Sequence, residues 1–363
     1  MDRGCISYCI CFLIGLFAGE LLPLPFYISA IISAVLLLSI ILFKKNSCIF
    51  VVLAHMAIFS LGTGSCSLSK TGKDTPYTAI FSYISEKADI CRDKTAKYFK
   101  KFCSSEENCS TLCALSIGTK GMMEKELKSA YSKAGAMHLL ALSGLHIGII
   151  YFILCIYLSP MLLIPHGRVL RDITSLVLIF LYSILCGCSP SVIRASIMIL
   201  IYKIGVNCFR NVSKWETLAI SALATGVLAP LQIKSISFQL SYSAIIGISL
   251  LFPTCKSALH QVFPKINKLH PMARMPLVKL WENIAISVCC QIGTLPVIMY
   301  YFGYISNYYL ITNLIAIPLA TMVLYVFSLL LSLQWISFPS DILYDVMNYI
   351  IELLNSSIKF ISG

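Results

Sequence analysis

Charge is what this sequence has least of. Asp, Glu, Lys and Arg make up 12% of its 363 residues, 58% are hydrophobic, and the mean hydropathy is +0.84. A soluble protein of this size carries about twice that charged share, so a water-soluble globular domain is excluded. Acid is scarcer than base: 16 Asp and Glu stand against 28 Lys and Arg, a formal net charge of +12. Several chemical motifs are missing as well. There is no GxxxxGK(S/T) phosphate loop, so any driving force comes from elsewhere than a nucleotide bound at such a loop. There is no HExxH, and Cys186-Gly187-Cys188 and Cys289-Cys290 lack partner pairs, so neither a metal nor a cofactor is expected. Ser143 stands near His146, but no nucleophile elbow and no acid partner accompany them. No catalytic residue is expected, and the chain is not read as an enzyme.

What is present is a succession of apolar runs. Residues 28–43, 49–61 and 173–185 hold few or no charges, and with their flanks each approaches the roughly 20 residues that cross a bilayer core. The fold class follows: an all-α, polytopic integral membrane protein with about ten or eleven transmembrane helices. The first run, about Cys5 to Leu22, is followed at once by another apolar segment after Pro23 and Pro25, and is read as a retained anchor rather than a signal peptide. Short loops rich in Lys and Arg stay in the cytoplasm. With the N-terminus inside, the inside loops become Lys44-Lys45, His166 to Arg171, Lys203 to Lys214 and Lys256 to Lys279. The outside loops near Pro23, Gly187, Leu231 and Tyr304 carry almost no charge, Lys234 excepted, and the C-terminus ends outside. Hydropathy thus divides the chain into N-terminal spans at 1–65, an extracytoplasmic segment at 66–136 and a transmembrane core at 137–363.

The segment 66–136 is basic, with twelve Lys and Arg against eight Asp and Glu. Within it Tyr77, Ile80, Phe81, Ile84, Ala88, Cys91, Thr95, Tyr98, Phe99 and Phe102 recur at steps of three and four, an amphipathic helix opened by Pro76. Its polar face carries Lys87, Lys94, Lys97, Lys100 and Lys101. Such a face attracts a polyanion or rests on anionic lipid, and both readings stay open. Cys66, Cys91, Cys103, Cys109 and Cys113 lie here too, and a bridge from Cys103 to Cys109 or Cys113 is one option in an oxidising compartment.

Five blocks in the remainder break the apolar pattern. The stretch 136–150, AMHLLALSGLHIGII, sets His138, Ser143 and His146 beside Gly144 and Gly148, a GxxxG step that lets a second helix approach closely. Read as one helix, it places His138, Leu142 and His146 along one flank, lining a wet vestibule or bonding to neighbouring helices. The stretch 186–195, CGCSPSVIRA, puts Pro190 at a break and Arg194 at the start of an apolar helix, where an arginine either pairs with protein or faces a watery path. SFQLSYSAIIG at 237–247 gives Gln239, Ser241 and Ser243 as a polar stripe. QIGTLP at 291–296 and TNLIAIPL at 312–319 carry Gln291 and Asn313, and Pro296 and Pro318 suggest broken or kinked helices in the core.

These blocks, taken in order, resemble the signature blocks of the ComEC family, polytopic channels that take single-stranded DNA into the bacterial cytoplasm. The match runs from about Tyr77 to the C-terminus. The resemblance implies an inner-membrane channel used in natural transformation, with His138, Ser143, His146, Arg194, Gln239, Gln291 and Asn313 along the substrate path. It implies as partners a periplasmic DNA-binding protein and a cytoplasmic helicase-like ATPase, with membrane lipids around the channel and a homo-oligomer left open. Two departures stand out. The OB-like domain usual in the family has no room between Gly64 and Tyr77. No HxHxDH-type motif of its metallo-β-lactamase-like domain occurs either, so degradation of the other strand is expected from a separate nuclease. The alternatives are an ion-coupled transporter of a smaller anion, for which Arg194 serves equally well, or a truncated, non-transporting scaffold.

Overall fold

The structure is a computed structural model that describes residues 2–21, 28–29, 31–36, 47–70, 76–119, 121, 123–140, 142–208, 212–262, 271–303, 308–334 and 341–363. Lys44, Lys45, Lys120, Lys268 and the turn at Tyr304 therefore lie outside the described residues, as do the side chains of Tyr77, Ile80, Phe81 and Ile84. Among the described residues there are helices and no strand. In chain order they are α1 (Asp2–Leu21), α2 (Ser47–Lys70), α3 (Pro76–Phe99), α4 (Glu106–Ile117), α5 (Lys125–Lys133), α6 (Met137–Leu140), α7 (Gly144–Tyr157), α8 (Gly167–Leu185), α9 (Pro190–Asn207), α10 (Lys214–Leu228), α11 (Ile236–Val262), α12 (Pro271–Phe302), α13 (Tyr309–Gln334) and α14 (Asp341–Ser362). Among the described residues, four stretches are long and apolar enough to span a membrane: Pro190–Asn207, Ile236–Ala258, Arg274–Phe302 and Tyr309–Leu333. Shorter apolar helices cover Ile6–Gly19, Val52–Gly64 and Gly144–Tyr157.

One of the remaining helices is inside out. On α8 the buried residues include Asp172, Ser175 and Ser183, while Ile173, Val177, Leu181 and Ile184 are exposed. In water this pattern would be costly on both counts. Against hydrocarbon it is what packing demands, because lipid tails are as apolar as leucine and only polar or small groups gain by facing other helices. The protein is an integral membrane protein on this ground as well as on composition.

Contacts group the chain into two units, residues 1–81 with 197–239, and residues 82–196 with 240–363. This grouping by contact and the earlier division by hydropathy at 65 and 136 describe different properties of the chain. In the first unit α1 and α2 lie backbone to backbone: a Cβ on Gly15 would overlap the Phe59 carbonyl, and one on Gly62 the Phe12 carbonyl. Ser7 Oγ and His55 Nε2 stand 2.6 Å apart across the same pair.

The second unit is built around α4. Ser105 caps it by accepting from Asn108 N–H at 3.1 Å, Glu106 and Glu107 sit in the first turn, and Gly118 ends it at φ +75°. Leu112, Cys113, Ala114 and Leu115 are wholly buried against Phe327 and Leu330 of α13 and Ile351, Leu354 and Ile358 of α14. Asparagines fix how α14 seats. Asn108 Nδ2 donates to Asn348 Oδ1 at 3.2 Å, Asn348 Nδ2 to the Phe102 carbonyl at 3.0 Å, and Tyr131 Oη to Asn355 Oδ1 at 2.9 Å. Lys359 and Glu107 close the same face at 2.8 Å.

Pro296 and Pro318 do not interrupt their helices, because α12 and α13 run through them as continuous elements. The break in the core lies elsewhere, between α6 and α7.

Candidate functional site

That break is made by Ser143, which is extended at φ −111° and ψ 170° and so stands outside α7 as its cap. His146 reaches back to it: His146 Nδ1 accepts the Ser143 N–H at 3.3 Å and lies 2.9 Å from Ser143 Oγ. An accepting Nδ1 leaves the ring proton on Nε2. His146 is 1% exposed, so one side of its ring is occupied in closing the helix start. His138 sits on α6 and is exposed, its Nδ1 donating to the Gly135 carbonyl at 3.1 Å. The two histidines are therefore on different helices, not on one flank as the spacing of four suggested. The cause is local: an N-cap residue needs extended backbone, which ends the periodicity at 143.

The next block packs onto this break. Ser191 Oγ donates to the Leu142 carbonyl at 2.6 Å. Gly144 lets α7 approach α9, where a Cβ would lie 3.7 Å from the Ala195 methyl. Gly148 has nothing within 4 Å, so only the first glycine of the GxxxG step makes a contact. Beside Ala195, Arg194 is 2% exposed and its Nη2 donates to Ser241 Oγ of α11 at 2.8 Å. Ser196 Oγ meets Ser183 Oγ of α8 at 2.9 Å. Pro190 opens α9, where its missing N–H costs nothing.

The turn before Pro190 explains Gly187. Gly187 has φ +68°, and a Cβ there would stand 2.9 Å from the Arg92 guanidinium. Arg92 belongs to α3 and pairs with Asp89, its side chain 21% exposed. A cation that the sequence counts with the attracting charges is thus turned onto the α8–α9 turn.

The other expected path residues are dispersed. Gln239 belongs to the first unit, where its Nε2 donates to the Lys234 carbonyl at 3.3 Å. Ser243 Oγ donates to the Leu240 carbonyl at 3.2 Å. Residues two apart on a helix face different ways, so Gln239, Ser241 and Ser243 do not make a single stripe. Gln291 is half-buried on α12. Asn313 has its Oδ1 buried without a donor among the described residues. Next to it, Thr312 Oγ1 donates to the Ala134 carbonyl at 2.8 Å, tying α13 to the approach to α6.

On α3 the buried side is Ala88, Ala96 and Phe99, continued by Phe102, while Cys91 and Tyr98 are exposed. The packed face is rotated by about one residue from the predicted one. Lys87, Lys94, Lys97, Lys100 and Lys101 are all exposed, as expected of its polar side. Lys100 Nζ pairs with Glu106 at 2.8 Å, which raises the lysine pKa and lowers that of the glutamate. Lys101 lies 5.6 Å from the centre of the Tyr98 ring. Cys103, Cys109 and Cys113 are free thiols, and burial pushes Cys113 up to about 12.

Ser183, Ser196 and Asp172 stand outside the five blocks that break the apolar pattern of the sequence. Asp172 and Ser175, three apart, share one helical face with Ser183, and polar residues on one face of an apolar helix mark the side turned to protein.

The model of the competence protein family, described as "Competence protein", matches residues 115–363. "ComE operon protein 3" of Bacillus subtilis (strain 168) is 29% identical over 213 residues, which cover 57% of this chain and 24% of that protein. The chain thus spans about a quarter of the length of that curated relative. No solved structure matches.

Proposed function

The chain belongs to the competence protein family, and from this membership we propose that it forms the membrane core of a channel for taking up single-stranded DNA during natural transformation. The observation that carries the reading is the extent of the family match. It covers the α6–α7 break, Arg194 and all of α11 to α14, the parts that combine buried polar groups with long apolar helices. On this reading the bacterial inner membrane holds the chain with its N-terminus in the cytoplasm and residues 66–136 outside. The exposed lysines of α3 raise the concentration of DNA at the entrance. His138, Ser143, His146, Arg194, Gln239, Gln291 and Asn313 are candidates for the path. On the same reading the chain carries out no covalent step. A DNA-binding protein outside the membrane, a helicase-like ATPase inside it and a separate nuclease complete the machinery.

The test is reconstitution. Purified full-length chain in liposomes should carry a fluorescent single-stranded oligonucleotide into a nuclease-protected interior, alone or with the ATPase added inside. Passage of small anions such as phosphate without passage of the oligonucleotide would favour a transporter of small anions instead. In cells, deletion of the gene should abolish transformation while leaving binding of DNA to the surface intact.

A further inference from the structure

Hydropathy leaves the segment 66–136 outside the membrane, but within the second unit α3 and α4 form a hairpin packed along a span. Leu112, Cys113 and Leu115 of α4 share one buried core with Ala316, Ala320, Val323, Phe327 and Leu330 of α13. That helix carries the span Tyr309–Leu333, and Ala316 to Leu330 covers about 21 Å of it at helical rise. The open end of the hairpin lies where α7 begins and α8 ends. There Arg92 covers Gly187, the Tyr182 hydroxyl donates to the Ser116 carbonyl, and a Cβ on Gly118 would meet the Leu142 side chain at 2.8 Å. Its tip, the short turn Lys100–Phe102, lies toward the other end of α7. Phe99 and Phe102 meet Phe327 with ring centres 4.6 and 6.0 Å apart, and the adjoining Ser328 Oγ stands 2.8 Å from Tyr157 Oη at the close of α7. From Arg92 to Phe102 and from Ser105 to Gly118 the legs are about 15 and 20 Å long at helical rise, against a bilayer core of about 30 Å.

One side of α3 packs, through Ala88, Ala96 and Phe99. The other side is exposed and carries Lys87, Lys94, Lys97 and Lys101 at steps of seven, three and four, a single stripe along the helix. Tyr98, 42% exposed, stands within this stripe, and Lys101 Nζ lies 5.6 Å from its ring centre. Charge is sorted along it. Glu86, Asp89 and Asp93 flank the part nearer the open end, whereas four lysines and no acid occur from Lys94 to Ser105. Of these four, Lys100 is held by Glu106 at 2.8 Å. Positive charge is therefore densest at the deep end of the hairpin, which attraction at a mouth alone does not require. Lysines at membrane depth are costly unless they meet water or a partner, and hydrocarbon supplies neither.

We propose that α3 and α4 are a re-entrant hairpin whose lysine face lines a water-filled route into the membrane, where Lys94, Lys97 and Lys101, with Tyr98 among them, hold a passing single strand. A lysine neutralises phosphate and an aromatic ring stacks on any base, so the combination suits a strand of arbitrary sequence. The buried leg α4 is fixed to α14 by the Asn108–Asn348 and Thr111–Asn355 contacts, at 3.2 Å each. That leaves the exposed stripe of α3 to the route. Segment 66–136 then enters and leaves on one side, and its lysines belong to the route itself as well as to its mouth. The identity of the strand rests on the transport reading above; the depth and wetness of the stripe do not.

The first arm of the test uses the full native chain in lipid vesicles, without DNA, and reads each lysine by mass spectrometry. An impermeant amine reagent, a sulfonated succinimidyl ester of acetate, is added on the side from which Lys125 and Lys128 react. It should modify Lys97 and Lys101 as well. The same reactive group on a long polyethylene glycol chain should still modify Lys125 and Lys128 but lose Lys97 and Lys101. Equal modification by both reagents would put the hairpin in bulk water, and none by the small one would put the stripe against lipid, protein or the opposite interface; either result overturns the proposal. In the second arm, a single-stranded oligonucleotide with a bulky protein bound at its trailing end is arrested during passage, and one photoreactive base is placed at varied distances from the block. Crosslinks to Tyr98 and Lys101 should need a longer spacer than crosslinks to Lys87, which lies about 21 Å nearer the open end of the hairpin. A strand that is taken up without crosslinking to the stripe, or that reaches all three residues at one spacer length, also overturns it. If no strand crosses while the small reagent reaches Lys97 and Lys101 and the large one does not, the transport reading fails and the wet re-entrant hairpin stands.

Discussion

Arg194 offers the sharpest measurement, because its environment sets two readings against each other. The guanidinium is 2% exposed, and Nη2 donates to Ser241 Oγ at 2.8 Å. A hydrogen bond to a charged group contributes about 1.5–3 kcal/mol in soluble proteins. Inside membranes double-mutant cycles average about 0.6 kcal/mol and reach about 1.7, because the unfolded chain in lipid also finds partners. The charge on Arg194 places this pair toward the upper end, about 1.5 kcal/mol, or roughly tenfold in the folded population. Ser241→Ala should therefore destabilise the protein measurably, and Arg194→Gln by more, since it takes the charge away from every group that faces it. The assay is a double-mutant cycle on the reconstituted chain, by unfolding in mixed micelles, with abundance in cells followed in parallel. Independent sites add to within about 0.3–0.5 kcal/mol. Coupling below that margin would refute a guanidinium held by Ser241. Normal abundance of Arg194→Gln with strongly reduced DNA uptake would show contact with passing phosphates, while normal abundance with normal uptake would dispose of both roles.

Three further outcomes are expected. Replacing Lys87, Lys94 and Lys97 with glutamine should flatten the salt dependence of single-stranded DNA binding by about 2 in log–log slope, near 0.7 for each phosphate contact; an unchanged slope in a salt titration would assign these charges to lipid. Gly293→Val should lower thermal stability by about 1–3 kcal/mol, because a Cβ there would sit 2.5 Å from the Ser243 carbonyl oxygen and 2.8 Å from Gly247 Cα; Gly148→Ala, with nothing within 4 Å, is the control and should stay within about 0.5 kcal/mol. Single cysteines at positions 133 and 214 should react with an impermeant thiol reagent from opposite sides in spheroplasts, the first from outside and the second only after lysis; the reverse pattern would invert the topology.

How much of this was legible beforehand depended on what each residue type can betray in one dimension. The membrane class was plain, since nothing but lipid accommodates so little charge over such long runs. The course of α3 was legible from Pro76 and the three-four spacing, but its face was misjudged by one residue. Arg92 was the cause: a cation reads as solvent-facing in any periodicity, whereas here it covers the backbone of Gly187 from a helix ninety-odd residues away. The α6–α7 break was hidden for the opposite reason. Helical spacing ran undisturbed through His138, Leu142 and His146, and only the conjunction of Ser143 with an acceptor at His146 marked a cap. Pro296 and Pro318 were the louder signals, yet α12 and α13 pass through them. In a membrane, neighbouring helices and local adjustments re-satisfy the groups a proline frees.

The same physics limits what a buried polar residue means in this protein. In water, hydrophobic burial drives association and a polar side chain in the core is an exception to be explained. Between lipid-facing helices that drive is absent, so serines, asparagines and close glycine contacts set the packing. Asn348 and Asn355 behave in this way, each meeting partners on α4 or beside it. Ser183 with Ser196, and Ser191 with the Leu142 carbonyl, do likewise. Arg194 and Asp172 carry what those residues lack, an ionisable side chain at depth, which packing alone does not require, since an asparagine or serine bridges two helices at lower cost. For these two, abundance and transport must therefore be measured on the same variant, because a loss of transport without a loss of protein is the result that packing cannot produce.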